Sequence, residues 1–264
     1  MTIASLDDWV ASAKQYITWS KTAARTTVAT GWFTELDLAG NPGAGTLAGT
    51  STTAGVVPTD ATAGMPLITN FGGGASGYLS KIAFSSSVAC RVQVFDLLWK
   101  GGAYAFNANT ALSGQPSFAS RCPGGLYNDL EIWVEQVTAA TGNQAVNVTY
   151  VNQAGTTGRT TGAVGIGAAP TVGRCWQLPL AAGDVGVQTI TNVAGATATA
   201  GTFNVLVLRS LWFGRVPVAN GGDVHAMDKT GLIDMFQDMA LYPLIAPDST
   251  AIGIPDIRMQ IANH

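Results

Sequence analysis

Between Tyr78 and Phe213, apolar and polar side chains alternate along short segments, and clusters of Gly and Pro separate those segments. Val88, Cys90, Val92 and Val94 alternate with Ala89, Arg91, Gln93 and Phe95. Leu130, Ile132 and Val134 alternate with Glu131, Trp133 and Glu135, and Val146, Val148 and Tyr150 repeat the pattern. Successive side chains of a strand point to opposite faces, so a period of two marks a sheet with one buried side. Phe203, Val205 and Val207 alternate with Asn204, Leu206 and Leu208. Both faces of that segment are apolar, which predicts a central strand. Asn152-Gln153-Ala154-Gly155 parts two Thr/Val-rich runs, 146–151 and 156–161, and predicts a hairpin. Roughly eight strands with no helices between them predict a mainly β fold, an antiparallel β-sandwich or jelly-roll-like domain.

The two ends have another texture. Ser5 or Asp7 can cap a helix in which Leu6, Trp9, Ala13, Tyr16 and Ile17 recur at spacings of three and four. At the other end Asp228 can cap a helix carrying Leu232, Ile233, Phe236, Met239 and Ala240, stopped by Pro243 and followed by an extended tail. From Asn41-Pro42-Gly43 to the glycine cluster at 72–77 the only charge is Asp60 and neither period is present. That stretch predicts a long extended arm with a strand near Gly64 to Thr69. The expected organisation is an N-terminal helical segment 1–37, an arm 38–77, a β-sandwich core 78–222, and a C-terminal helix and tail 223–264.

Charge sets the next constraint. The 264 residues hold 13 Lys+Arg and 16 Asp+Glu, 11% of the chain, where a soluble domain has about a quarter. Only fourteen of these lie in residues 38–222. Either Thr, Ser, Asn and Gln hydrate the surface, or much of it is buried against other subunits, where interface cores are depleted in charge. The mean hydropathy of +0.25 favours assembly. The few cations are scattered, which excludes the basic stripe that nucleic acid requires. No apolar stretch approaches 18 residues, so no membrane-spanning helix is predicted. Asp7 and Asp8 in the first eleven residues do not suit a secretory signal, and synthesis in the cytoplasm is expected.

Motifs for chemistry are weak. Gly43-x-Gly45-x-x-x-Gly49 and Gly165-x-Gly167 lack the Lys-Ser/Thr that a phosphate loop needs. The cluster Asp223-x-His225-x-x-Asp228 could serve a triad or weak metal site, but reads better as a turn before a helix. Asp129, Glu131 and Glu135 are the densest acids of the middle; Glu131 and Glu135 should share one face of a strand, most simply the solvent face. Cys90, Cys122 and Cys175 form no Cys-x-x-Cys and read as small buried hydrophobes, with one bond between subunits as the alternative. No catalytic residue, metal or cofactor is assigned.

Residues 146–161, 174–190 (Arg-Cys-Trp-Gln-Leu-Pro-Leu-Ala-Ala-Gly-Asp-Val-Gly-Val-Gln-Thr-Ile) and 203–209 (Phe-Asn-Val-Leu-Val-Leu-Arg) resemble virion proteins of tailed bacteriophages. The region 78–215 is most similar in texture to β-sandwich head-decoration, or cement, proteins. The resemblance implies a jelly-roll-like sandwich, a symmetric homo-oligomer, usually a trimer, and attachment to the major capsid protein. A tail or baseplate component is its near neighbour. The expectation is a non-enzymatic structural protein of the virion that stabilises the capsid across adjoining subunits. Trp9, Tyr16 and Trp19 are the expected subunit contacts, together with the 40–77 arm. A carbohydrate- or receptor-binding sandwich is the alternative, supported if Trp99, Trp133, Trp176 or Trp212 stand exposed near loops. A hydrolase using Asp129, Glu131 or Asp223 is the third reading.

Overall fold

The computed structural model describes residues 5–69, 71, 77–165, 167, 170–195, 197 and 200–263; residues 1–4, the glycine cluster at 72–76 and His264 lie outside them. The first strands are β1 (Ala13–Lys21), β2 (Trp32–Thr34), β3 (Gly40–Asn41), β4 (Gly77–Ser86), β5 (Cys90–Ala105) and β6 (Asn109–Ala111). The middle of the chain gives β7 (Leu130–Thr138), β8 (Ala145–Asn152), β9 (Arg159–Thr160), β10 (Val164–Gly165), β11 (Arg174–Leu178) and β12 (Val187–Gly195). The last are β13 (Thr202–Val216), β14 (Gly221–His225), β15 (Asp234–Met235), β16 (Leu241–Pro247) and β17 (Pro255–Asn263). Two short helices, α1 (Leu6–Ala11) and α2 (Met227–Thr230), complete the elements used below.

The fold is mainly β, 49% strand against 6% helix, and its sheets are antiparallel. Six strands close into a barrel in the order β11-β2-β16-β5-β13-β7. A six-stranded sheet follows the order β14-β4-β17-β1-β3, with β15 also on β4. A five-stranded sheet runs β10-β8-β12-β6, with β9 on β8. The apolar-on-both-faces strand is central, as its sequence predicts: β13 pairs with β5 on one side and β7 on the other. One face of it, Phe203, Val205 and Val207, packs with Val146, Val148 and Tyr150 of the five-stranded sheet. The other face, with Leu206 and Leu208, belongs to a larger core that includes Trp19, Ile82, Phe84, Phe95, Trp133 and Tyr242. The predicted hairpin forms between β8 and β9. Asn152 holds it: its Oδ1 accepts from the N–H groups of Ala154 and Thr156.

The ends differ from the helical expectation. Ser5 does cap α1, accepting from the N–H of Asp8, but the helix stops at Ala11 and the chain becomes β1. Eight residues of β1 pair with β17, and Ile17, Trp19 and Lys21 turn inward while Tyr16, Thr18 and Ser20 turn away. Residues 15–19 satisfy a period of two as well as one of 3.6, and a long ladder outweighs a marginal short helix.

At the C-terminal end helix is confined to α2. The stripe from Leu232 to Ala240 is irregular, with positive φ at Leu232 and Asp238. Its backbone groups are held by buried side chains instead of by an i→i−4 ladder. Arg209 donates to Asp234 O, Arg121 to Asp238 O, and the N–H of Ala240 to Asp96. Pro243 and Pro247 lie inside β16. Proline is tolerated there because β2 covers only Leu244 and Ile245 on one side of that strand.

The arm does not project. Leu47, Met65 and Ile68 are buried. Val56 and Lys100 exchange backbone hydrogen bonds, and the N–H of Gly49 donates to Asn204 Oδ1. Residues 64–69 form no strand.

Candidate interaction surface and buried charge clusters

Nearly half of the charged side chains in the middle of the chain are spent inside it. Of the fourteen in residues 38–222, six are buried: Asp60, Asp96, Lys100, Arg121, Glu135 and Arg209. Lys81, Asp129 and Arg215 are the three that stand exposed. Lys21 and Glu35 are buried too. Eight of the 29 charged residues are thus buried, and of the fourteen in residues 38–222 eight remain outside the core.

Two clusters account for most of the buried ions. In the first, Asp96 lies 3.4 Å from Arg121 and 3.9 Å from Arg209, and burial pushes its carboxyl up to about 6 against the pull of both guanidinium groups. Arg121 also donates to Pro58 O and Leu97 O, and Arg209 to Asp234 O, so each guanidinium satisfies backbone carbonyls as well as the acid. In the second, Glu135 is fully buried, which corrects its expected solvent-facing position. It accepts from Tyr242 Oη and Asn204 Nδ2 and lies 3.1 Å from Lys100 Nζ. Tyr242 is on β16, Lys100 on β5 and Glu135 on β7; neither β16 nor β5 is a ladder neighbour of β7, so these contacts run through the inside of the barrel. Glu131, on the same strand, is half-buried and accepts from Trp133 Nε1.

The other sequence candidates are placed as follows. His225 is held by Trp212 Nε1, which donates to its Nδ1 at 3.0 Å, while Asp223 lies 3.3 Å from Nε2. Its ring stands edge-on to Phe84 and Trp212. Asp228 sits in the first turn of α2. Cys90, Cys122 and Cys175 are buried free thiols, and burial raises the pKa of each. Trp99, Trp133, Trp176 and Trp212 are all buried, so none offers a face on which a sugar ring could stack.

The three aromatics expected to touch neighbours separate. Trp19 is 0% exposed in the chain's own core, with the Lys21 ammonium over its ring, so it is not available to a neighbour. Trp9 is half-buried on α1 and packs on the cluster of Tyr78 and Ala262, as Leu232 also does. Tyr16 is 73% exposed and its hydroxyl accepts from Gln260 Nε2. It stands on the face of the six-stranded sheet that turns away from the core.

That face is open. It presents Tyr16, Thr18 and Ser20 from β1, Arg258 from β17, Lys81, Ala83 and Ser85 from β4, and Val224 from β14. Two adjoining hollows share Ala83 and Arg258; one is bordered by Tyr16 and Lys81, the other by Gly222, Val224 and Asp256. Small side chains make the floor, and Arg258 is already paired with Asp256 at 3.1 Å. An antiparallel sheet can leave one face to water, and this one leaves it shallow and weakly charged. Sequence periodicity missed the face because it assigned Tyr16 to a helix.

No protein-family model matches the chain, and no curated protein matches it. Solved structures give only slight likenesses. The structure of infectious bursal disease virus Gx strain shares 9% identity over 96% of this chain and 80% of that one, with a TM-score of 0.18. The VP2 subviral particle of that virus shares 10% identity over 95% and 79%, also at 0.18. An arabinose-bound α-L-arabinofuranosidase shares 16% identity over 78% of this chain and 33% of that one, at 0.21. At these scores the chains do not share an arrangement, and neither fold nor function is taken from them. No described helix is long and apolar enough to cross a membrane.

Proposed function

We propose that this chain is a non-enzymatic structural protein of a bacteriophage virion, which stabilises the capsid by binding across adjoining subunits as a homo-oligomer, most simply a trimer. The observation that carries the reading is the scarcity of surface charge: only eight charged residues between 38 and 222 lie outside the core, which leaves an exterior suited to burial. The open face around Tyr16 is the proposed contact with the major capsid protein. The sheet supplies a rigid platform, and several such contacts in one oligomer reinforce one another through high effective concentration. The experiment is the fraction of the chain that co-sediments with purified capsids over a salt series. Attachment through uncharged surface survives about 1 M salt, where the screening length is about 3 Å, and is lost in guanidinium. Release at moderate salt, with the circular dichroism of the folded chain intact, contradicts the reading.

A further inference from the structure

The second buried cluster contains more than an ion pair. Lys100 Nζ lies 3.1 Å from Glu135 Oε2, and the side-chain amide of Asn204 donates to that same oxygen. An amine and a carboxamide thus converge on one carboxylate. Lys100 is on β5, Asn204 on β13 and Glu135 on β7, three consecutive strands of the barrel. Asn204 is directly opposite Glu135 in the β13–β7 ladder, and Lys100 is opposite Leu206, two residues along β13 from Asn204. All three side chains are buried; Glu135 and Asn204 are 0% exposed. Asn204 Oδ1 accepts the N–H of Gly49 at 2.8 Å, a backbone donor aimed at the oxygen that would gain charge if the amide carbon were attacked. Glycine makes room for that arrangement, since a Cβ at Gly102 would come within 2.1 Å of Asn204 Oδ1.

We propose that Lys100 and Asn204 join in an autocatalytic isopeptide bond, with Glu135 as the proton relay. Glu135 removes a proton from the Lys100 ammonium, and the freed Nζ lone pair attacks Asn204 Cγ. The charge that develops on Oδ1 is met by the Gly49 N–H. Glu135 passes its proton to Nδ2 and relays a second one from Nζ, the Cγ–Nδ2 bond breaks, and the nitrogen leaves as ammonium. One C–N bond forms and one breaks, no electron is gained or lost, and Glu135 ends ionised as it began. Tyr242 donates to the other oxygen of Glu135 and holds the carboxylate in place. The product ties β5 covalently to the central strand of the barrel.

Intact-mass spectrometry of the purified full chain tests this. The expected mass is about 17 Da below that of the sequence after N-terminal processing, the loss of one ammonia. Trypsin should leave residues 92–121 and 175–209 as one linked species, uncut after Lys100, with fragment ions that place the link at Lys100 and Asn204. Glu135→Gln should restore the full mass, as should Lys100→Arg. The wild-type chain reports the bond by itself, so a variant that fails to fold does not blunt the test. A folded wild-type chain at unshifted mass overturns the proposal. So does a loss of about 18 Da, which would mark water lost in a Lys100–Glu135 amide instead.

Discussion

Tyr242 donates its hydroxyl proton to Glu135 across the inside of the barrel, from β16 to β7, two strands that share no ladder. The bond shows where this chain keeps its polarity. Asn204, Lys100 and Tyr242 surround one acid, and Asp96 is set between two arginines. Buried charges are costly unless partnered, and here they are partnered by residues far apart in sequence.

Tyr242→Phe keeps the ring and removes one donor from a fully buried carboxylate. Stability should fall by about 1–3 kcal/mol, the cost of leaving a buried acceptor short of a partner. The check is the guanidinium unfolding midpoint at unchanged m-value.

Asp96→Ala should cost more, about 3–5 kcal/mol, because Arg121 and Arg209 lose the acid that both face. The loss should be local at first. Amide exchange should rise across residues 234–240, whose carbonyls and N–H groups these three side chains hold. Exchange unchanged there would show that packing alone fixes the segment.

Glu35 sets the pH response above about 6, while Asp96, pushed up to about 6, adds to it below that. It is buried beside Trp19, and burial pushes its carboxyl from 4.5 up to about 8. The folded chain therefore keeps a proton that the unfolded chain has released. Stability from this group is greatest at the acid end of the window and declines as pH rises from about 4.5 to about 8. Glu35→Gln keeps an acceptor for Trp19 Nε1 and should flatten that decline above about pH 6, where Asp96 no longer contributes. Urea midpoints measured across the window give the answer, and an unchanged slope counts against Glu35 as its source.

Trp19 and Tyr16 should behave oppositely. Trp19→Ala empties a core site and should cost about 3–5 kcal/mol. Tyr16→Glu puts a charge on the open face and should change stability by less than about 0.5 kcal/mol. It should nonetheless abolish co-sedimentation with capsids. Retention of Tyr16→Glu on particles would move the contact elsewhere.

The sequence spacing of these two residues also shows what can be read without a structure. The central place of β13 and the turn at Asn152 were legible because alternation and turn chemistry are local. The ends were not. Leu6, Trp9, Ala13 and Tyr16 repeat like a helix, but β1 gains its ladder from β17, more than two hundred residues away, and no local pattern carries that partner. Leu232 to Ala240 also carry a helical stripe, but their backbone is captured by Asp96, Arg121 and Arg209. Glu135 alternates as a solvent-facing residue would, and only closure of the barrel turns its face inward. The shortage of charge was legible in the composition; the burial of six of the fourteen charges between 38 and 222 was not.

Sedimentation equilibrium of the purified chain at micromolar concentration tests the central claim most directly. An exterior this poor in charge should be partly covered by copies of the same chain, and the measured mass should be a defined multiple of 27.1 kDa, three being the multiple proposed. That mass should hold from low salt to about 1 M, where only charge-mediated association is screened. A monodisperse 27.1 kDa species at every salt concentration would contradict the account.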